Sequence, residues 1–174
     1  STFDTGKNIL APYLRHAGIR QIDYMVLTHP ELDHLGGLVY IAKHFKVVNL
    51  LKTTDFTRSR EYRVLMDTCI EKGIKVVHPG KDQPQFRDGR FSLHFFDAMT
   101  PGDDLNNRSL VFKITYGDFS VLVTGDILAS REKRLAEAYA HSLHADVLIA
   151  PHHGSRSSST HFLLDKVQPE SVII

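Results

Sequence analysis

The chain has a single cysteine, Cys69, among 174 residues, so no internal disulfide and no thiolate zinc cluster can form within it. It also lacks any apolar run long enough to cross a bilayer and any signal-peptide pattern at its start, which leaves the expectation of a soluble chain. Charge of one sign is missing too: 21 basic against 20 acidic residues give a net charge of +1 with histidines neutral. A single-sign field that recruits nucleic acid or anionic lipid is thereby excluded, and any such contact has to be a local patch. In bulk the composition is ordinary, with 42% hydrophobic and 24% charged residues, as expected of one globular domain with a sizeable core. The departure is histidine. Eleven are present, several beside acids or glycines at the ends of apolar runs, where ligands are commonly placed.

The densest such place is Met25-Val-Leu-Thr-His29-Pro-Glu31-Leu-Asp33-His34-Leu-Gly-Gly37. An apolar run ends there in two histidines and two acids, as a buried strand does when it delivers side chains to a site at its end. A plain turn needs only the proline and the glycines and leaves His29, Asp33 and His34 unexplained. The pattern therefore reads as a metal centre with oxygen and imidazole ligands, gathered on a short irregular segment.

Two further strand ends carry similar chemistry. Ser109–Tyr116 and Phe119–Thr124 flank Gly117-Asp118 as a hairpin, and the second strand runs into Gly125-Asp126. The short strand 146–150 runs into Pro151-His152-His153-Gly154-Ser155. The rest is read as helices over 8–17, 37–44, 60–72, 131–141 and 161–167, and strands over 22–28, 46–51, 74–77 and 91–96. On the helix 131–141, Leu135, Ala138 and Tyr139 are expected inward and the mixed charges Arg131, Glu132, Lys133, Arg134 and Glu137 outward. Cys69 is expected on the buried face of helix 60–72, His16 in solvent and His94 as structural. Arg58, Arg60 and Arg63 read as a solvated face, with a phosphate-contact patch as the alternative. The hydroxyl-rich Arg156-Ser-Ser-Ser-Thr160 opens the helix 161–167, where N–H groups could hold a phosphate or merely be capped. Both ends of the chain read as cut strands, which points to a piece of a longer polypeptide.

Three ligand-bearing strand ends, with strands and helices alternating in two runs, argue for two mixed sheets faced by helices. Thr28-His-Pro-Glu-Leu-Asp-His-Leu-Gly-Gly37 resembles the HxHxDH signature of the metallo-β-lactamase superfamily, and Thr124-Gly-Asp126 resembles its metal-bridging aspartate. The resemblance narrows with Asp4-Thr-Gly6, Asn106-Asn-Arg-Ser-Leu-Val111 and Pro151-His-His-Gly-Ser155. In that order the blocks are similar to the β-lactamase-like domain of ComEC-type competence proteins, which take up DNA.

The resemblance implies an αββα sandwich, incomplete at both ends, forming a single domain over 1–174. It implies two divalent ions, one on His29, Glu31 and Asp126 and the other on Asp33, His34, Asp126 and His153. Asp126 would bridge them, because a carboxylate has two oxygens to share. The catalytic roles fall to Asp33 and His152, and substrate contacts to Asn106, Asn107, Ser155 and Ser157. Glu31 stands where the superfamily has its second histidine, and no convincing further histidine precedes Asp126, His78 looking more like a turn residue. Both departures move the balance from zinc toward manganese. The implied function is a metal-dependent phosphodiesterase or nuclease acting on DNA, single-stranded in the leading form, within a multi-helix membrane channel and on its outer face. The alternatives are a hydrolase of small esters or thioesters on the same fold, and a non-catalytic module that positions DNA.

Overall fold

The computed structural model describes residues 3–80 and 85–174. They divide into two compact units, Ser1–His78 and Pro79–Ile174. Ser1 and Thr2, read as part of a strand tail, lie outside the described residues, and from Gly6 the chain is already helical.

The first unit is built as two consecutive strand–helix–strand crossovers. Strands β1 (Gln21–Leu27), β2 (Lys46–Lys52) and β3 (Lys75–Val77) lie in the order β1-β2-β3. Both pairings are parallel, as helical connections require. Helix α1 (Ala11–His16) continues a wide turn, Gly6–Leu10, and is followed in the chain by α2 (Leu32–His44) and α3 (Arg60–Lys72). Met25 and Leu27 of β1 and Leu50 of β2 pack with Leu35 and Ile41 of α2 and Leu65 and Cys69 of α3 in one core. Burial pushes the Cys69 thiol pKa up, so this thiol is an inert packing group. The Ser59 hydroxyl accepts from the Tyr62 N–H at 3.2 Å to cap α3, and the helix stops at Gly73.

Helix α2 begins five residues before the expected Gly37. Glu31, in extended conformation, ends the approach from Pro30, and its carbonyl accepts from the His34 and Leu35 N–H groups. Asp33 and His34 therefore project from a regular first helical turn rather than from an irregular segment. Gly36 and Gly37 lie inside the helix, where glycine costs about 1 kcal/mol relative to alanine. Packing explains the second of them. A Cβ on Gly37 would sit 2.8 Å from the Thr5 hydroxyl, and one on Gly6 would sit 2.1 Å from the Gly37 carbonyl oxygen. The Asp4-Thr5-Gly6 turn and the first turns of α2 are thus in backbone contact, which holds the helix start in place.

Among its described residues the second unit has six strands in sequence order: β4 (Gln85–Asp88), β5 (Phe91–Phe96), β6 (Val111–Tyr116), β7 (Phe119–Val123), β8 (Val147–Ile149) and β9 (Ser171–Ile173). The pairings from β4 to β7 are antiparallel and those from β7 to β9 parallel. The second sheet is thus mixed, while the first is parallel throughout its described strands. Helices α4 (Ala129–Tyr139) and α5 (His161–Val167) contribute Leu135, Leu163 and Val167 to a core with Phe96, Val111, Leu122 and Leu148.

Helix α4 corrects the sequence reading of its faces. Arg131 and Glu132 are fully buried, Ala136 is buried, and Ala138, expected inward, is exposed. Arg131 donates through Nη1 to the carbonyls of Asn107 and of Ser109, the latter at 2.6 Å. Burial lowers its pKa to about 10, which still leaves it charged near neutral pH. Glu132 accepts from the Ser159 N–H at 2.6 Å, the Thr160 N–H at 2.8 Å and the Thr160 hydroxyl at 2.6 Å. No helix of the described residues is long and apolar enough to cross a membrane.

Candidate metal centre

Each unit carries part of the predicted ligand set at the carboxyl ends of parallel strands, where α/β proteins place their sites. In the first unit β1 ends at Leu27 and passes directly into Thr28 and His29. His29 is fully buried and Thr28 half-buried. The Thr28 hydroxyl lies 3.2 Å from His29 Nδ1 and 3.3 Å from His34 Nδ1. The two rings are 4.2 Å apart, centroid to centroid, at 50°. Their other nitrogens face carboxylates: His29 Nε2 is 3.9 Å from Glu31 Oε2, and His34 Nε2 is 3.6 Å from Asp33 Oδ2. Glu31 caps α2 with its backbone alone, and its carboxylate stands on the imidazole side.

In the second unit β7 and β8 run parallel, so their ends lie side by side. Thr124 donates its hydroxyl to the Ile149 carbonyl at 2.9 Å, and the His152 N–H donates to the Gly125 carbonyl at 3.1 Å. These bonds join the segment carrying Asp126 to the one carrying His153. Asp126 is buried, and its Oδ2 lies 3.5 Å from His153 Nε2. The backbone there is unusual: His152 (φ 49°) and His153 (φ 53°) are both left-handed, followed by Gly154 (φ 70°). A non-glycine residue pays roughly 1–2 kcal/mol for that conformation, and such strain gathers at functional sites. It turns the two adjacent rings apart, to 6.3 Å between centroids, with His153 set beside Asp126.

The strain has a measurable consequence. With glycine's entropy cost of about 0.5–1 kcal/mol set against relief of the left-handed strain, metal-free His153→Gly should be about 1 kcal/mol more stable than His153→Ala. That is a difference of roughly 2–4 °C in Tm for a chain of this size. Thermal melts of both variants in chelator check it; equal melting temperatures would show that the turn is not strained.

The donor spacing fits metal ligation. Three imidazole–carboxylate pairs stand at 3.9, 3.6 and 3.5 Å, longer than the usual hydrogen-bond range. Two N/O donors sharing a tetrahedral ion at about 2.1 Å stand roughly 3.4 Å apart. The pairs His29–Glu31, His34–Asp33 and Asp126–His153 are thus each disposed as neighbours on an ion.

The remaining expected residues fall differently. Asn107, expected at substrate, is buried; its Oδ1 accepts from the Leu128 N–H at 2.9 Å and its Nδ2 approaches the Ser130 hydroxyl at 3.4 Å. Its visible work is to hold the segment after Asp126. Asn106 is half-buried beside it. The Ser155 and Ser157 hydroxyls pair at 2.8 Å at the surface. The Ser159 and Thr160 N–H groups, which could have held a phosphate at the start of α5, are taken by the Glu132 carboxylate. His78 is held by its own unit, Nδ1 lying 3.0 Å from the Lys52 carbonyl oxygen.

Several supporting residues were not singled out from sequence. Ser109 accepts from the Asp126 N–H at 3.1 Å, and Arg131 grips the carbonyls on either side of Arg108. Lys52, buried at the end of β2 with its pKa lowered by that burial, donates to the carbonyl of Asp55 at 2.9 Å and to that of Thr53. A signal for Arg131 and Glu132 was present: they stand four residues before Leu135 and Ala136, on the same helical faces.

The chain is 31% identical to ComE operon protein 3 of Bacillus subtilis over 99% of its length and 22% of the relative's. It is 28% identical to competence protein ComA of Neisseria gonorrhoeae over 98% of its length and 23% of that protein's. It therefore spans about a fifth of the length of these relatives. Among solved structures, CmlA, a diiron β-hydroxylase from Streptomyces venezuelae, superposes with a TM-score of 0.56 at 18% identity, covering 88% of this chain and 35% of CmlA; that likeness concerns the fold. Residues 2–174 match the metallo-β-lactamase superfamily profile, and the chain, with its two helix-flanked sheets, belongs to the metallo-β-lactamase superfamily.

Proposed function

We propose that this chain is the hydrolytic domain of a DNA-uptake protein, a phosphodiesterase or nuclease that depends on two divalent ions. The observation that carries the reading is the donor set. The pairs His29–Glu31 and His34–Asp33 in the first unit and Asp126–His153 in the second each set an imidazole nitrogen beside a carboxylate oxygen, at 3.9, 3.6 and 3.5 Å, and Asp126 would be the donor that both ions share. The similarity to a competence protein over nearly the whole chain supports DNA as the substrate.

Divalent ions held by these donors would acidify a bound water and offset charge on a phosphodiester oxygen. The chain's residues do the rest. Asp33, exposed at the start of α2, accepts a proton from the attacking water. His152, half-buried and set apart from His153 by the left-handed turn, takes the role of proton donor to the leaving oxygen in this reading. Asn106, Ser155 and Ser157 offer polar contacts for a phosphate. A carboxylate at position 31 in place of an imidazole favours manganese over zinc.

The test is cleavage of single-stranded DNA by the purified chain with Mn2+ or Zn2+, beside a panel of small esters and thioesters. Metal-dependent DNA cleavage that stops in chelator and in His29→Ala is expected. Ester turnover without DNA cleavage would move the assignment to the small-ester alternative. Metal binding with no turnover of either substrate class would identify a positioning module.

A further inference from the structure

We infer that Thr28 is a shared positioning residue for the two imidazoles of the first unit, setting both rings to offer Nε2 to metal; the inference rests on the metal-binding half of the reading above and not on the substrate. A metal-ligating histidine needs its second ring nitrogen held, because that bond selects the tautomer and the ring orientation. Usually each ring has its own partner. Here one hydroxyl stands 3.2 Å from His29 Nδ1 and 3.3 Å from His34 Nδ1, and the rings it serves are six and one residues away in sequence.

A hydroxyl oxygen has two acceptor lone pairs. It can therefore take an N–H from each ring at once, with both Nδ1 atoms protonated and both Nε2 atoms carrying lone pairs toward Glu31 and Asp33, 3.9 and 3.6 Å away. The rings pack 4.2 Å apart, so each also limits the other's rotation. Thr28 holds the hydroxyl with little freedom: it directly follows β1, and a β-branched side chain has restricted χ1. A serine keeps the oxygen and loses only that stiffness. A valine keeps the shape and loses both acceptor sites.

The consequence is that removal of one atom, touching no metal, weakens ligands of both ions together. Thr28→Val should lower Zn2+ and Mn2+ affinity about 10–100-fold, the usual effect of losing a ligand's supporting hydrogen bond, while Thr28→Ser stays within a few fold of wild type. Titration calorimetry on metal-free protein reads this without any activity assay. In zinc-loaded wild type, 15N NMR should show His29 and His34 both protonated at Nδ1 and ligated at Nε2, a readout that needs no substitution. Ligation of either ring through Nδ1 overturns the inference, as does wild-type affinity in Thr28→Val. If wild type itself binds no metal, the metal reading fails and this inference with it; if wild type binds and Thr28→Val binds equally, only this inference fails.

Discussion

Asp126→Ala should retain its fold and lose most of its bound metal. The residue is buried at the end of β7, its carboxylate 3.5 Å from His153 Nε2. As the proposed shared ligand it is the one donor whose loss would take a ligand from both ions, since its two oxygens serve where one imidazole nitrogen cannot. The effect on metal affinity should exceed the roughly 10–100-fold typical of losing a residue that only supports a ligand, and hydrolysis should fall at least as far. The N–H of residue 126 still donates to Ser109, so the segment keeps its anchor, and the melting temperature in chelator should change little. Elemental analysis of protein equilibrated with Mn2+ or Zn2+ and then desalted checks the outcome. A full metal complement in the variant would remove Asp126 from the ligand set.

Glu132→Ala should be the most damaging substitution away from that centre. The side chain is fully buried and its carboxylate accepts three hydrogen bonds from Ser159 and Thr160. Truncation leaves those donors without their acceptor, at about 1–3 kcal/mol for each that water does not reach, and leaves a cavity under α5. Ser159 and Thr160 are half-buried, so water recovers part of the loss, and a total of about 3–5 kcal/mol is expected. At roughly 2–4 °C per kcal/mol the metal-free protein should melt on the order of 10 °C lower. Glu132→Gln should recover only part, because one of the two acceptor oxygens becomes a donor facing other donors. Urea unfolding of the three proteins in chelator measures this. A loss under about 1 kcal/mol would mean that the segment 155–160 is held by something other than Glu132.

The same carboxylate shows why one sequence expectation was settled only in three dimensions. The run Arg156–Thr160 has the composition of an anion-binding helix start, and the anion there turns out to be Glu132, supplied from α4 on a side chain that looked like part of a solvated face. Composition cannot tell a phosphate site from a capped helix when the cap comes from elsewhere in the chain. The block Asn106–Val111 behaved similarly. Its Asn107 and Ser109 were legible as a motif, while their work, bonding to the Leu128 and Asp126 N–H groups, depends on a segment 21 and 17 residues later.

The start of α2 was misplaced for a local reason. Gly36-Gly37 reads as a break because glycine weakens helices, yet tertiary contact with Thr5 and Gly6 outweighs that propensity and draws Asp33 and His34 into a regular turn. The strands were easier. The spans 91–96, 46–51 and 119–124 lie within a residue of the observed elements, since alternation and apolar runs are properties of the chain itself.

By itself the sequence determined that apolar runs form strands and that histidines and carboxylates stand at their ends, because a buried strand must be written in apolar residues. It determined the superfamily too. Only the tertiary structure decided that Arg131 and Glu132 lie inside, that His152 and His153 occupy a left-handed turn, and that one Thr28 hydroxyl stands between two imidazoles. Each of these depends on which distant backbone comes near, and the energy that holds them, in satisfied buried polar groups and tolerated strain, belongs to the packed arrangement and not to any stretch of the chain.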